Sequence, residues 1–205
     1  LDDGGVTFRS HIDGRLLVAL VTVAPLIVVI LWLTACVKHP VGDPEKSQVD
    51  PKLSGVWRSQ ESGGETLVFI RPYDSRTYFV KSLSYEEESG VVRPGEQQEF
   101  KAWLTPLGGA DFLTMELLDC AAFAGLNAEK PPYFVAKAEL ADGSLRLHLV
   151  NGEQHPAKAA TSRSELEAAI VKNVGSDALY AGQPLVFGKL EDKARIESVL
   201  KAFRR

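Results

Sequence analysis

The chain of 205 residues lacks the features that identify a nucleic-acid-binding protein or a disulfide-rich module. Its 23 Lys and Arg residues are outnumbered by 27 Asp and Glu residues and form no basic stripe, so we expect no nucleic-acid partner. It has two cysteines, Cys36 and Cys120, too few for a disulfide scaffold and without the Cys-x-x-Cys spacing of metal or redox sites. We expect Cys120 to be a small buried apolar side chain.

Catalytic and metal-binding motifs are also absent from the sequence. There is no Gly-x-Ser-x-Gly turn and no nucleotide-binding glycine loop. His148 and His155 have no Cys or carboxylate at metal-ligand spacing, so we expect solvated or hydrogen-bonded imidazoles. The run Glu86-Glu87-Glu88 lacks the oxygen spacing of a calcium loop and predicts a solvated hairpin tip. We therefore predict a non-enzymatic protein with no catalytic residues, no metal and no cofactor.

One long apolar run is present near the start of the chain. Residues 16–35 contain no charged side chain, and Arg9, His11 and Arg15 precede them. At about 1.5 Å per residue the run is long enough to cross a bilayer as a helix, and basic residues place its N-terminal side in the cytoplasm. The run is therefore an export segment, either a signal peptide that is removed or an uncleaved signal anchor.

The last four residues of this region, Leu33-Thr34-Ala35-Cys36, resemble the lipobox of bacterial lipoproteins. The resemblance implies cleavage between Ala35 and Cys36, with residues 1–35 removed as a signal peptide. It also implies that Cys36 becomes an acylated N-terminus, carrying diacylglycerol and a fatty acid such as palmitate, held in membrane lipid. Because residue 37 is Val and not Asp, the resemblance implies sorting to the outer membrane, facing the periplasm.

Residues 37–52 are rich in proline and charge and show no apolar period. Pro40, Pro44 and Pro51 favour an extended chain, which could span at most about 50 Å. We therefore predict that residues 36–52 form a lipidated N-terminus and a tether, and that residues 53–205 form a single folded domain.

From residue 53 onward, short apolar or alternating runs separated by turn residues predict β-structure. Asp142-Gly143 and Gly108-Gly109 provide the positive φ angles of tight hairpins, so neighbouring strands should be antiparallel. The predicted strands are 55–60, 65–71, 77–85, 97–105, 111–118, 133–140 and 144–150, with 184–188 as an eighth. This pattern favours a mainly β fold, an antiparallel meander barrel or half-barrel with a helical tail.

The tail of the chain predicts two helices. Ser162 and Glu165 form a capping-box pattern that opens a helix over 162–173, and Gly175 ends it. The final helix has an apolar stripe that predicts packing against the sheet. The stripe consists of Ile196, Val199, Leu200 and Phe203.

The Gly55-x-Trp57 pattern at the first strand resembles the opening of lipocalins, in which the Trp closes the base of an eight-stranded barrel. The chain departs from that family in lacking its later motifs and paired cysteines. A second resemblance is to uncharacterised proteobacterial lipoproteins that combine a lipobox, Val-Asp-Pro-x-Leu-x-Gly-x-Trp and a β-meander. In this chain, residues 49–53 supply the Val-Asp-Pro-x-Leu part of the pattern and are followed by Gly55 and Trp57. Tyr133, Lys137 and Leu140 fit the part of the pattern that follows the meander. This group brings no known activity.

Four aromatic side chains are the candidate lining of a cavity inside such a barrel, namely Trp57, Tyr78, Phe100 and Tyr133. In a small barrel the same residues can instead fill the interior. Our first hypothesis is therefore a lipid-anchored periplasmic protein that binds an apolar small molecule or lipid. The alternatives are an accessory or inhibitor subunit that binds another envelope protein through the outer sheet face or the 162–173 helix, and an uncleaved signal-anchor protein with the same domain.

Overall fold

The structure is a computed structural model that describes residues 36–61, 64–118, 133–154 and 156–204. The predicted export segment, Cys120 and His155 lie outside these residues. Within the described residues nine strands form a single antiparallel sheet. They are β1 (Cys36–Val37), β2 (Gly55–Glu61), β3 (Gly64–Pro72), β4 (Tyr78–Glu88), β5 (Val91–Leu107), β6 (Ala110–Leu117), β7 (Tyr133–Ala141), β8 (Ser144–Leu149) and β9 (Leu185–Lys189).

Eight of these strands close into a barrel. Strands β2 to β8 pair with their neighbours in chain order, and β9 pairs with both β8 and β2. Every strand pair is antiparallel. The predicted meander barrel of about eight strands is therefore confirmed, as the resemblance to lipocalins implied.

The two predicted tight hairpins are formed at the predicted residues. Gly108 and Gly109 have φ angles of 62° and 81° between β5 and β6, while Asp142 and Gly143 have φ angles of 49° and 73° between β7 and β8. Positive φ at both central residues matches the twist of the flanking strands, which is why a two-residue turn suffices here.

Alternate side chains of the strands point into the barrel and form its core. Trp57 is one of them, and its indole Nε1 donates a hydrogen bond of 2.9 Å to the carbonyl oxygen of Leu53. The other buried members of this interior cluster are Ile70, Tyr78, Val80, Phe100, Ala102, Leu113, Met115, Leu117, Phe134, Ala136, Leu145, Leu147, Leu149, Ala181 and Phe187. Burial of this apolar surface is the main term that stabilises the barrel.

The first predicted helix, α1 (Arg163–Asn173), packs on the outside of the barrel. Its Leu166 and Ile170 bury against the outward side chains Phe112 and Val135. Its N-terminus is capped as predicted, because the amide of Glu165 donates to the Ser162 hydroxyl at 3.3 Å. The Glu165 carboxylate accepts from the amide of Thr161 rather than from that of Ser162.

The second helix, α2 (Lys193–Ala202), covers another part of the barrel wall. Val199 is fully buried against Leu67, Leu83 and Tyr85, which point outward from β3 and β4. Leu200 and Phe203 are partly buried in the same cluster. The predicted packing of the final helix on the sheet is confirmed.

The structure differs from the predicted tether. Val41 is fully buried, and its carbonyl oxygen accepts hydrogen bonds from Trp103 Nε1 at 2.8 Å and Thr114 Oγ1 at 2.9 Å. Residues 38–54, here called the N-terminal segment, therefore lie along the barrel wall. Pro44 and Pro51 each begin a single turn of 3₁₀ helix, and the buried apolar side chains of Val37, Val41 and Leu53 attach the segment to the barrel.

Candidate functional site

Three of the four candidate cavity residues meet inside the barrel. Trp57, Tyr78 and Phe100 are each no more than 1% exposed and belong to the interior cluster. Phe100 stands edge-on to Phe134, with ring centroids 5.9 Å apart. All three side chains pack into one buried cluster with aliphatic neighbours, so they fill the interior instead of lining an open space.

Tyr133 does not join them, and its assignment to the cavity is wrong. Successive side chains of a strand point to opposite faces, and Phe134 is the one that points inward. Tyr133 lies on the outside, where its ring meets Trp103 at a centroid distance of 6.2 Å. The stretch from 133 to 136 is apolar on both faces because α1 covers its outer side, so alternation in the sequence could not identify the inward residue.

Cys36 is held in the sheet by its own backbone. It pairs with Phe134 and its neighbour Val37 pairs with Tyr133, so β1 continues the barrel wall beside the start of β7. Directly paired residues of antiparallel strands share a face, and the Cys36 side chain accordingly packs against the interior cluster with Phe134. The residue is therefore a fixed part of the barrel.

Burial raises the pKa of the Cys36 thiol to about 11, and the nearby carboxylate of Glu153 adds to this rise. A thiol with so high a pKa is protonated near neutral pH, whereas nucleophilic and redox cysteines need the thiolate. Cys36 is therefore unsuited to act as a catalytic nucleophile.

Gly152 lies directly against the carbonyl group of Cys36. A Cβ atom placed on Gly152 would come within 1.8 Å of that carbonyl oxygen, which no side chain could tolerate. The chain that leaves β8 thus closes over β1 at a position where only glycine fits. This contact packs the chain that follows β8 against Cys36.

Cys36 also defines one end of the barrel. This Cys36 end carries the start of β7, the turn between β4 and β5 and the chain that leaves β8. The opposite end carries the turns after β3, β5 and β7. The opposite end is closed by the N-terminal segment, because Leu53 packs into the interior cluster and the amide of Asp50 donates to Tyr78 Oη.

An ion-pair cluster lies on the outer wall beneath α2. Arg195 donates to Glu65 Oε2 at 3.3 Å and also pairs with Glu87, while Tyr85 Oη donates to Glu65 Oε2 at 2.5 Å. The hydrogen bond from Arg195 holds the pKa of Glu87 below its usual value. The predicted solvated hairpin tip is confirmed, since Glu86, Glu87 and Glu88 are exposed before the turn at Ser89 and Gly90, and Glu87 in addition pairs with Arg195 of α2.

A second polar cluster lies on the outer face of β7 and β8. His148 Nε2 is 3.3 Å from Glu139 Oε2, and Lys137 Nζ is 2.9 Å from the other oxygen of the same carboxylate. The hydrogen bond from Lys137 is the main cause that lowers the pKa of Glu139. His148 is thus a hydrogen-bonded imidazole, and among the described residues there is no group of three potential metal ligands.

A groove of about 420 Å³ runs between the N-terminal segment and α1. Both signs of charge border it, with Asp43 and Lys46 on one side and Arg163 and Glu167 on the other. Glu167 already accepts the amide of Gly42 at 2.9 Å, so this carboxylate serves to hold the N-terminal segment to α1.

The outer face of β8, β9 and β2 contains a group of exposed side chains. Arg146 is paired in register with Val186, and Arg58 with Gly188, so both arginines flank β9. Val186 is 47% exposed, and both arginines are exposed. Across the part of the chain that the structure covers, neither arginine forms an ion pair.

None of the described helices has the length and apolar character needed to span a membrane. No protein-family model, no curated protein and no solved structure matches the chain.

Proposed function

We propose that the protein is a non-enzymatic, lipid-anchored protein of the cell envelope that binds another envelope protein through its outer surface. The observation that supports this choice is the packed interior of the barrel. Trp57, Tyr78 and Phe100, the side chains expected to line a ligand cavity, instead contact their neighbours and are almost completely buried.

The lipid anchor is supported by the sequence around Cys36. A charge-free run of twenty residues ends in Leu33-Thr34-Ala35-Cys36, and basic residues precede the run. Two or three acyl chains would hold the protein stably, since one chain alone binds a membrane weakly. With Val at position 37, the resemblance to lipoproteins favours the outer membrane, with the barrel in the periplasm.

The packed interior weighs against the apolar-ligand hypothesis. Small-molecule sites are concave and bury most of the ligand surface, which requires several hundred Å³ of open volume. Side chains of the interior cluster occupy the corresponding region here. Binding through the outer surface needs no such space.

The outer face of β8, β9 and β2 is the best-suited contact surface. It presents two arginines without ion-pair partners in the described structure, Arg58 and Arg146, around the exposed Val186. Residues 36–205 carry 21 basic and 24 acidic residues, so this cationic face contrasts with an acidic whole. The face therefore suits an acidic partner surface, because arginine is enriched at protein interfaces and charge complementarity steers association.

The anchor is tested by the intact mass of protein extracted from membranes. We expect a chain that begins at Cys36 and carries the mass of the acyl groups. A Cys36→Ser variant should retain residues 1–35 and lose lipid modification, while Cys120→Ser should be processed normally. Native protein with residues 1–35 attached and no acyl mass would instead support an uncleaved signal anchor.

The partner surface is tested by sedimentation of mild-detergent extracts of the envelope. We expect the native protein to migrate in a complex, and the double variant Arg58→Glu/Arg146→Glu to migrate as the isolated protein. The matched control Lys172→Glu/Lys201→Glu makes the same change in charge on exposed helix positions and should leave the complex intact. A stoichiometric apolar molecule extracted from the purified native protein would restore the ligand hypothesis and contradict this proposal.

A further inference from the structure

We infer that the Cys36 end of the barrel lies directly on the membrane surface, with no flexible tether between the anchor and the folded domain. This inference rests on the proposed lipid attachment at Cys36 and adds the orientation of the domain. The partner is the surface of a lipid bilayer.

The first step is the position of the anchoring residue. Cys36 is paired with Phe134 in the barrel wall, and Gly152 packs against its carbonyl group. The thioether that holds the lipid would therefore start from a residue whose backbone is part of the sheet and whose side chain is only partly buried at the Cys36 end of the barrel. The acyl chains can reach the bilayer only if this part of the barrel is at the membrane.

The second step is the course of the chain after the anchor. An unattached segment of residues 37–52 would let the barrel stand off by as much as about 50 Å. In the structure the same residues return along the wall, held at Val41 by Trp103 and Thr114. The length of this segment consequently adds no distance between the membrane and the barrel.

The third step is the chemistry of the surface around the anchor. Lys38, His39 and Lys158 line a small crevice beside Val37 and Gly152, next to Cys36. Lys158 pairs with Glu153 at 3.2 Å, whereas Lys38 is exposed and forms no ion pair with the described residues. Lys38 can contact a headgroup phosphate beside the anchor, but the same end of the barrel also carries the exposed Glu86 and Glu88, so the orientation rests on the covalent attachment and not on charge.

The orientation places the opposite end of the barrel away from the bilayer. The eight residues of β6 span roughly 25 Å along the strand. Tyr73, which is 72% exposed in the connection after β3, lies at that distal end. The face formed by β8, β9 and β2 then stands beside the membrane, open to a neighbour in the same plane.

Fluorescence quenching by lipid-bound nitroxides tests the orientation. Full-length protein, lipidated in cells, is reconstituted into vesicles of phosphatidylethanolamine and phosphatidylglycerol that contain a headgroup-labelled nitroxide lipid. A fluorophore is attached to Lys158→Cys or to Tyr73→Cys, each with Cys120→Ala, because the thiol of Cys36 is blocked by lipid. We expect the label at position 158 to be quenched several-fold more strongly than the label at position 73.

A matched variant carries a Gly-Ser insertion of about 15 residues between Cys36 and Val37, which adds a reach of roughly 20 Å. In this variant the quenching at position 158 should fall towards that at position 73. Equal quenching at the two positions without the insertion, in protein that carries acyl mass and floats with the vesicles, would overturn the orientation alone. Protein without acyl mass on Cys36 would overturn the lipid attachment and the orientation with it.

Discussion

The indole Nε1 of Trp103 donates a hydrogen bond of 2.8 Å to the carbonyl oxygen of Val41, which lies 62 residues earlier in the chain. Both groups are buried, and the Thr114 hydroxyl donates to the same oxygen at 2.9 Å. This shared acceptor is the point at which a proline-rich, polar segment becomes part of the barrel wall. The proposed orientation on a membrane depends on this contact, because a segment attached here cannot act as a tether.

The two donors to Val41 should be energetically coupled. Each single substitution, Trp103→Phe or Thr114→Val, leaves the buried carbonyl with only one donor. It should lower the free energy of unfolding by about 1 kcal/mol, the net value of one hydrogen bond. The double variant leaves a buried acceptor without a donor. Its free energy of unfolding should therefore fall by roughly 1 kcal/mol more than the sum of the losses in the two single variants. Urea unfolding followed by circular dichroism measures these differences, and additive losses would contradict the shared role of the two donors.

Gly152→Ala should detach β1 from the sheet. The new Cβ would overlap the carbonyl oxygen of Cys36, while the closed barrel of β2 to β9 does not require β1. We expect trypsin to cleave after Lys38 and Lys46 about tenfold faster, equivalent to about 1.4 kcal/mol of local stability. Mass analysis of the fragments checks this. Gly175→Ala, where a Cβ meets no atom within 4 Å, should be cleaved at the native rate.

Truncation inside the barrel should be costly because the interior is filled. Phe100 is 1% exposed and contacts Phe134 edge-on, so Phe100→Ala should lower the free energy of unfolding by about 3–5 kcal/mol. Val91→Ala removes atoms from a side chain that is 61% exposed and should change stability by less than about 0.5 kcal/mol. Denaturant titration distinguishes the two. A small effect at Phe100 would indicate an open interior and favour the ligand hypothesis.

Stability should fall in acid because two carboxylates on the outer wall have lowered pKa values. Glu87 is held by Arg195 and Glu139 by Lys137. A depressed folded-state pKa stabilises the protein above the unfolded value of about 4.3, and this stabilisation is lost as the pH falls through the folded-state pKa. The free energy of unfolding of the double variant Glu87→Gln/Glu139→Gln should therefore fall less steeply below a pH of about 4.3.

The measurement is urea unfolding at a series of pH values from about 7 down to about 3. Glu197→Gln serves as the control, because Glu197 forms no ion pair in the described structure. Its profile should follow that of the native protein. A double variant with the native acid profile would show that the two ion pairs do not contribute to the acid dependence.

Several features of the fold were predictable from local sequence. Asp142-Gly143 and Gly108-Gly109 gave the two hairpins, because few other residue pairs adopt positive φ without strain. Ser162 identified the start of α1 through the hydrogen bond that it accepts from an orphan amide of the first turn. Each of these signals acts over a few residues, so no knowledge of distant contacts was needed.

The extent of β5 could not be predicted in the same way. Pro94 and Gly95 normally interrupt strands, yet β5 passes through both of them. The register shifts between Leu83 and Tyr85, and the Ser84 hydroxyl accepts from the amide of Glu96 at 2.9 Å. A bulge stabilised by the partner strand can accommodate residues that a regular ladder excludes.

Sequence alone determined the order of strands, the turns between them and the two helices, because periodicity and turn chemistry are local properties. Tertiary structure decided that the barrel is filled, that Tyr133 points outward and that Val41 and Cys36 belong to the wall. These outcomes depend on which side chains meet across strands far apart in the chain. The local sequence pattern does not predict that Trp103 and Thr114 donate to one buried carbonyl of a polar segment.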